Sequence, residues 1–406
     1  MVQIDGQRLL NSLRKLRTFG ALDNGVVRPT YSPIDWESRE WLVEQMEAAG
    51  LDAVIDGVGS VHGRSRNPGP ALIIGSHTDT QPEGGWLDGA MGVMYGIEVA
   101  RALHDDPATQ HLAVDVASWA DEEGTYGSFI GSRSFFGEFS DADLALQNAD
   151  GETIAAALER LGLTSTPRAL HEPERHVGYL EAHIEQGPHL EDTGKLLGVV
   201  TSIVGLRAMQ ITFTGEQNHA GTTPMARRKD AAAAMFKFGV RIDERLRALA
   251  GPTTVWTIGN LGVHPGGESI IPGSAWCGLQ YRDTDETVLD GFEVAIRDLA
   301  VEMSAEGPVE VYAELRRAAV HPAHMDPSLR SHLEAACEAT APDAWVSMPS
   351  AAAHDAQITA RHIPSAMLFI PSINGISHDF AEDSTDADIV LGCQALATAT
   401  ASILMA

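Results

Sequence analysis

Cysteine is scarce in this sequence, and the few cysteines present are not paired along the chain. The 406 residues contain three of them, Cys277, Cys337 and Cys393, an odd number with no CxxC pair. This pattern argues against a disulfide framework and against a cysteine-based zinc site. We therefore expect a reducing compartment, of which the cytoplasm is the simplest.

Positive charge is also scarce. The chain has 28 Lys and Arg against 56 Asp and Glu, which gives a formal net charge of -28 and a pI near 4.8. A nucleic acid or an anionic membrane needs a basic face to displace its counterions, so we expect neither as a partner. The sequence also lacks an uninterrupted apolar run of about 18 residues, and its N-terminus alternates charged and apolar residues at helical spacing. We expect neither a signal peptide nor a membrane span.

Apolar residues are plentiful, and their pattern predicts an α/β fold. They make up 44% of the chain, whose length exceeds that of one ordinary domain. Residues 71–80 and 111–120 are short apolar runs typical of buried strands, and residues 89–106 between them have a helical pattern. This order predicts a parallel βαβ unit in a covered sheet. The apolar run 365–371 is expected to return to the same sheet.

The middle of the chain has a different pattern of apolar and polar residues. From residue 206 to about 320, strands with alternating apolar and polar residues are separated by two helical segments. Such alternation is typical of an antiparallel sheet with one covered face. We therefore predict a first domain formed by 1–205 and 321–406, and an inserted α+β domain over 206–320.

Polar groups follow the predicted strands of the first domain, where ligands bind in open α/β sheets. They are His77 with Asp79, Asp88, and Glu122 with Glu123, and His183 and His378 come later in the chain. Imidazole and carboxylate together suit zinc, manganese or cobalt. Taken singly, each residue has a simpler explanation, such as a hydrogen-bonded strand end, a surface salt link or a turn. Spacing alone therefore leaves a metal site open.

Six motifs, spread over nearly the whole chain, carry a family resemblance. In order they are GSHTDT, GGWLDGAMGV, DEEG followed by GSR, YLEAHIEQGP, NHAGTTPM and NGISH. They resemble the metal-dependent amidohydrolases that include N-carbamoyl-L-amino acid hydrolases, β-ureidopropionases and allantoate amidohydrolases, within the wider superfamily of aminoacylases and di-zinc carboxypeptidases. The resemblance implies a two-domain metallopeptidase-like fold, with a mostly parallel central sheet and an inserted lid and dimerisation domain.

The resemblance also implies two divalent metal ions per subunit and the residues that bind them. Asp88 would bridge the two ions, and zinc, manganese and cobalt would all suit these ligands. Asp79 would lie behind His77 and fix its tautomer. The first ion would be bound by His77, Asp88 and His183, and the second by Asp88, Glu123 and His378.

Catalytic and substrate-binding roles follow from the same resemblance. Glu122 would be the general base that takes a proton from the attacking water and passes it to the leaving nitrogen. His219 would polarise the substrate carbonyl in the active site of the partner subunit of a homodimer. Arg282 would bind a substrate carboxylate. Further substrate contacts would come from Gln186, Ser269 and His354.

Two departures from the family pattern leave the substrate open. Ser269 stands in ESIIPG where relatives usually have asparagine, and Ala351 and Ala353 replace glycines in residues 350–356. The added methyl groups would narrow a pocket lined by backbone. The predicted reaction is cleavage of the carbamoyl C–N bond of an N-carbamoyl amino acid or related ureido acid, which releases ammonia, carbon dioxide and the free amine.

Three alternatives to this reaction are an allantoate-type amidohydrolase, an amidase for another N-acyl amino acid or amide, and a non-catalytic binding protein that has kept the fold. The complete ligand set argues against the last, because a binding protein needs no base beside its metals.

Overall fold

The computed structural model describes residues 2–406 and divides them into two compact units. Unit 1 comprises the chain up to Thr201 together with His324–Ala406, and unit 2 is Ser202–Ala323. The sequence-based boundaries were 206 and 320.

The helices and strands are numbered along the chain. The helices are α1 (Gly6–Arg17), α2 (Pro33–Ala48), α3 (Ala90–Asp105), α4 (Ile130–Phe135), α5 (Ile154–Arg160), α6 (His189–Thr193), α7 (Ala231–Leu249), α8 (Glu286–Glu306), α9 (Pro327–Thr340), α10 (Asp355–Thr359) and α11 (Asp386–Met405). The strands are β1 (Ala21–Leu22), β2 (Gly25–Val26), β3 (Leu51–Ile55), β4 (Val61–Ser65), β5 (Ala71–His77), β6 (Ala113–Trp119), β7 (His176–Ile184), β8 (Leu197–Ile203), β9 (Gly205–Thr214), β10 (Asn218–His219), β11 (Val255–His264), β12 (Ile270–Ile271), β13 (Ser274–Asp283), β14 (Glu310–Leu315), β15 (Ala323–His324), β16 (Trp345–Ser350) and β17 (Ser365–Ile370).

A nine-stranded sheet forms the centre of unit 1. Its order is β15-β8-β17-β7-β5-β6-β4-β3, with β16 paired to β8. The central strands β17, β7, β5 and β6 are parallel, which confirms the predicted βαβ unit and the return of the last apolar strand to this sheet. Every residue of β5 and β6 is buried, as expected for strands whose two faces are both covered.

The last helix, α11, is long and apolar enough to cross a membrane by length and composition alone. In the structure it packs on α3, α9 and β17, and Ile389, Cys393 and Leu396 are fully buried in the core. Its start is fixed by Thr385, whose side chain accepts a hydrogen bond from the backbone N–H of Asp388. The contacts are those of a core helix.

Unit 2 contains a four-stranded antiparallel sheet in the order β11-β13-β9-β14, which confirms the predicted α+β architecture. Alternate residues of β9 point to opposite faces. Met209, Ile211 and Phe213 are fully buried and belong to one apolar cluster with residues of α7 and α8. The intervening residues lie on the other face, which those two helices leave open.

Candidate active site

The predicted ligands of unit 1 meet at the carboxyl ends of the parallel strands. His77 is the last residue of β5, and His183 is next to last in the neighbouring strand β7. Asp88 precedes α3, and Glu123 follows β6. These segments are adjacent in the sheet, so their ends converge although they are distant in sequence.

The first group of candidate ligands is His77, Asp88 and His183, which are all buried. The His183 Nε2 atom lies 3.0 Å from Asp88 Oδ1, and the His77 Nε2 atom lies 3.5 Å from the same oxygen. The Nδ1 atoms of both rings face backbone carbonyl oxygens, that of Asp79 at 3.0 Å and that of Ile184 at 2.9 Å. With the proton on Nδ1, both Nε2 lone pairs face the Asp88 oxygen.

The second group is Asp88, Glu123 and His378. The His378 Nε2 atom lies 3.2 Å from Asp88 Oδ2 and 3.8 Å from Glu123 Oε2. Gln81 donates a hydrogen bond of 2.7 Å to that Glu123 oxygen. Asp88 therefore presents Oδ1 to the first group and Oδ2 to the second, which is the arrangement of a bridging carboxylate.

The chemistry of these residues fits a pair of divalent cations. Ligand atoms within each group lie within 4.8 Å of one another. The Nε2 lone pairs of His77 and His183 face a carboxylate oxygen of Asp88. Burial lowers the pKa of His77, but Glu122, Asp88 and Asp79 outweigh it and raise that pKa well above its usual value. Burial and Asp88 likewise raise the pKa of Glu123 to about 7. Such an excess of buried negative charge is what bound cations offset.

Glu122 is close to both groups but belongs to neither. Its Oε2 atom lies 3.6 Å from His77 Nε2, and its side chain is only 8% exposed. Burial raises the pKa of Glu122 well above its usual value, and the charge of Glu123 adds to this, whereas His77 lowers it. A buried carboxylate beside the candidate metal ligands has the position of a proton carrier.

Asp79 and Asp121 hold the segments that carry these groups. The carbonyl oxygen of Asp79, rather than its carboxylate at 3.8 Å, is the nearer acceptor for His77 Nδ1. The Asp79 carboxylate accepts from the backbone N–H of Glu123. Asp121 has a positive φ of 56° and accepts from the backbone N–H groups of Tyr126 and Gly127. Asp121 is thus a buried residue that anchors the loop after β6.

Gly89 is required beside the first ligand group. Its φ is +63°, and a Cβ atom there would lie 2.3 Å from His77 Nε2. Its backbone N–H lies 3.1 Å from His183 Nε2. No other residue fits this conformation and this space.

Sequence reasoning missed Glu382 and Glu181, two buried carboxylates that hold the site together. Glu382 accepts from the backbone N–H groups of Leu87 and Asp88 and from the hydroxyl of Ser377, so it ties the Asp88 loop to the His378 loop. A Cβ at Gly85 would lie 1.8 Å from Glu382, which explains the glycine. The acidic residue closely following His378 was the only signal in the sequence.

Glu181 performs a similar task on β7. It accepts from the hydroxyl of Ser76 and from the backbone N–H of Ala356, and so joins β5, β7 and α10. It was visible in the sequence only as a charge inside an apolar strand.

The remaining predicted site residues divide between the two units. Gln186 lies in the cluster of unit 1, where its amide nitrogen is 3.0 Å from Asp88 Oδ2. His354 is buried, with its ring 4.5 Å from that of His183 and its Nε2 atom 3.0 Å from the hydroxyl of Ser350. His219, Ser269 and Arg282 belong to unit 2.

Within unit 2, His219 and Ser269 are neighbours. The short strands β10 and β12 pair His219 with Ile270, and the carbonyl oxygen of Ser269 accepts from the backbone N–H of Ala220. The His219 Nδ1 atom accepts from the backbone N–H groups of Gly221 and Thr222. Its ring proton is therefore on Nε2, which leaves an exposed imidazole N–H able to donate.

Comparison with known proteins identifies the family. Residues 73–402 match peptidase family M20/M25/M40. The chain belongs to this family. It is 34% identical over 402 residues to an N-carbamoyl-L-amino acid amidohydrolase of Geobacillus stearothermophilus, with 97% of each chain covered. It is also 34% identical over 403 residues to an allantoate amidohydrolase of Escherichia coli (strain K12), with 96% of each covered.

A solved structure agrees with this assignment. An amidase of the hydantoinase/carbamoylase family from Burkholderia phymatum shares 50% identity and a TM-score of 0.94, covering 100% of this chain and 99% of that one. The resemblance found in the motifs is confirmed. The protein is a hydrolase of the carbamoylase and allantoate branch, which acts on C–N bonds other than peptide bonds.

Proposed function

We propose that this M20 family member cleaves the carbamoyl C–N bond of an N-carbamoyl amino acid and releases the amine, carbon dioxide and ammonia. One divalent ion would be held by His77, Asp88 and His183, and a second by Asp88, Glu123 and His378. The observation that carries the proposal is the division of the Asp88 carboxylate between the two groups, with Glu122 beside them and outside both.

The reaction assigns Glu122 the movement of protons. When bound, the two ions polarise the scissile carbonyl and lower the pKa of the attacking water. Glu122 takes the proton of that water and delivers it to the leaving nitrogen. Its burial supports this role, because a carboxylate held out of bulk water has a raised pKa and accepts a proton more readily. Zinc, manganese and cobalt each suit this mixture of imidazole and carboxylate.

The substrate contacts in this proposal are those that the family resemblance implies. Arg282 binds the substrate carboxylate, and His219 donates its Nε2–H to the substrate carbonyl. The hydrogen bonds from Gly221 and Thr222 to His219 Nδ1 support this, since they fix the donating tautomer. Gln186, Ser269 and His354 are further substrate contacts, and the methyl groups of Ala351 and Ala353 reduce the space for the substrate.

The active protein is a homodimer in the cytoplasm. Among the strands that the structure describes, β11 is an edge strand that pairs with β13 alone, and Val255 and Leu261 on it are more than half exposed. Phe236 and Val240 on the adjoining helix α7 are 64% and 65% exposed. An unpaired edge flanked by apolar side chains favours pairing with a second copy. The three cysteines are buried and unbridged, which is consistent with a reducing compartment.

A substrate panel tests the reaction. The protein reconstituted with manganese, zinc or cobalt is given N-carbamoyl α-amino acids, N-carbamoyl-β-alanine, allantoate and N-acyl amino acids, and both ammonia and free amine are measured. We expect ammonia and amine from the carbamoyl amino acids. Release of amine with a carboxylic acid would instead identify an acyl amidase, and turnover of allantoate alone would identify the allantoate reaction, which the relative in Escherichia coli makes the second candidate.

Mixed dimers test whether His219 serves the partner's site. His219→Ala and Glu122→Gln subunits are each expected to be inactive, but co-expressed they form dimers in which one site has both intact residues. With random pairing, half the dimers are mixed and half their sites are complete, so about a quarter of wild-type activity returns. If the mixture is no more active than its parents, while successive purification through a different affinity tag on each variant recovers mixed dimers, His219 does not act across the interface.

A further inference from the structure

The open face of the unit 2 sheet contains a cavity of about 520 Å³ that no role assigned so far uses. Its lining includes Ala208 of β9, Gly259 of β11 and Gly278 of β13, whose small side chains leave room. A Cβ atom at Gly278 would lie 2.1 Å from Asn260 Oδ1 and 3.3 Å from Arg316 Nη1. Glycine at this position therefore allows an amide and a guanidinium to come close to the strand.

Arg316 and Arg317 line this cavity directly after β14. Within residues 2–406, neither guanidinium donates a hydrogen bond or forms an ion pair. This differs from Arg207 of the same unit, which pairs with Glu286, Asp290 and Glu293. None of the described residues that line the cavity is a carboxylate, in a chain with twice as many acidic as basic residues. The cavity thus combines two arginines with neutral walls.

Arg282 lies beside the same cavity. It follows Gln280 and Gly278 at every second position of β13, so the three share the open face. The Arg282 Nη2 atom lies 3.4 Å from the amide oxygen of Gln280, a residue of the cavity wall. Burial lowers the pKa of Arg282, and the nearby charge of Arg317 lowers it further. Positive charge is therefore concentrated here, where an anion would be attracted.

We propose that Arg316 and Arg317 bind a second anionic group of the substrate, a side-chain carboxylate, while Arg282 binds the α-carboxylate. The inference rests on the proposed function and deepens it, since it makes N-carbamoyl derivatives of acidic amino acids the preferred substrates. A guanidinium donates two parallel N–H groups to a carboxylate, and the side-chain amides of Asn260 and Gln280 offer further donors. Allantoate, which has a single carboxylate, would leave this site unused.

Isosteric substrate pairs test the proposal. We expect kcat/KM for N-carbamoyl-L-glutamate to exceed that for N-carbamoyl-L-glutamine by about tenfold or more, as charge-assisted hydrogen bonds would give. The double variant Arg316→Gln/Arg317→Gln is expected to lose this preference, mainly through KM for the glutamate compound. Arg330→Gln is the control, because it removes one positive charge of unit 1 that pairs with Glu334, and the preference should persist.

A binding measurement separates this proposal from the reaction itself. Calorimetry with the metal-loaded protein compares glutarate with its half-amide, glutaramate. To the wild type, glutarate should bind about tenfold more tightly than glutaramate. To the double variant, glutarate should bind no more tightly than glutaramate. If the variant keeps the wild-type selectivity in binding and in turnover, the anion site is refuted. If no carbamoyl compound is hydrolysed but glutarate binding still depends on the two arginines, the proposed reaction fails and the site stands.

Discussion

Glu122→Gln is expected to lower kcat by about a thousandfold, within the range that a general acid and base contributes, while both metal ions remain bound. The amide keeps the shape of the side chain but cannot take a proton from the attacking water. The six ligand contacts are made by other residues, so the metal content measured by elemental analysis should equal that of the wild type. KM should change little, because Glu122 is not among the residues assigned to substrate binding.

The matched control is Glu83→Gln, which removes one negative charge from an exposed position in the same region of the chain. It should have wild-type kcat and metal content. Near-native turnover by Glu122→Gln would show that another group carries the proton. A simultaneous loss of metal would show instead that Glu122 is a ligand.

Asp88→Asn is expected to have the largest effect on metal content. Asp88 presents one oxygen to each group, so losing its charge weakens both. Burial raises the pKa of Asp88, but the neighbouring imidazoles of His183, His378 and His77 outweigh it and hold that pKa well below the usual range. The neutral amide should leave less than one ion bound per chain. We expect activity to fall by more than about a hundredfold. Loss of a residue that only hydrogen-bonds to a metal ligand already lowers activity by up to about a hundredfold, and Asp88 would itself be a ligand.

Glu123→Gln provides the contrast, because Glu123 belongs to the second group alone. It should retain the ion held by His77, Asp88 and His183, and elemental analysis should give about one ion per chain. Equal metal content in the two variants would contradict a bridging role for Asp88. Circular dichroism confirms that each variant is folded.

Much of unit 1 could be predicted because its central strands are short, apolar and bounded by polar residues. Because both faces of β5 and β6 are covered, these strands are mostly apolar, and the one carboxylate inside them, Asp115 of β6, is paired with Arg175. The candidate ligands and Glu122 therefore lie at or just beyond the ends of the strands. The position at the strand ends predicted His77 and Glu122 as candidate residues. It could not show which of two adjacent glutamates would be turned toward the ligand groups, since that depends on the loop conformation after β6.

Other parts of the site could not be predicted from local sequence patterns. Glu382 connects two loops that are distant in the chain, and a charge in a polar segment looks like any solvated residue until the fold buries it. Asp79 was expected to act on His77, but its carbonyl oxygen proved the nearer acceptor, which no side-chain pattern encodes. Arg316 and Arg317 belong to no motif, and only the folded sheet brought Arg316 beside Gly278 and both arginines to one cavity.

The sequence by itself determined the α/β class, the inserted antiparallel unit and, through six motifs in order, the family and its candidate metal ligands. The class and the antiparallel unit follow from residue type and spacing, which are local properties, whereas the family and the candidate ligands follow from the resemblance of the motifs. The tertiary structure alone decided which atoms face one another: the division of the Asp88 oxygens, the tautomers of His77 and His183, and the cavity without carboxylates beneath two arginines. Such geometry arises only when distant segments are brought together, because a hydrogen bond or a ligand contact depends on positions a few ångströms apart that no single segment specifies.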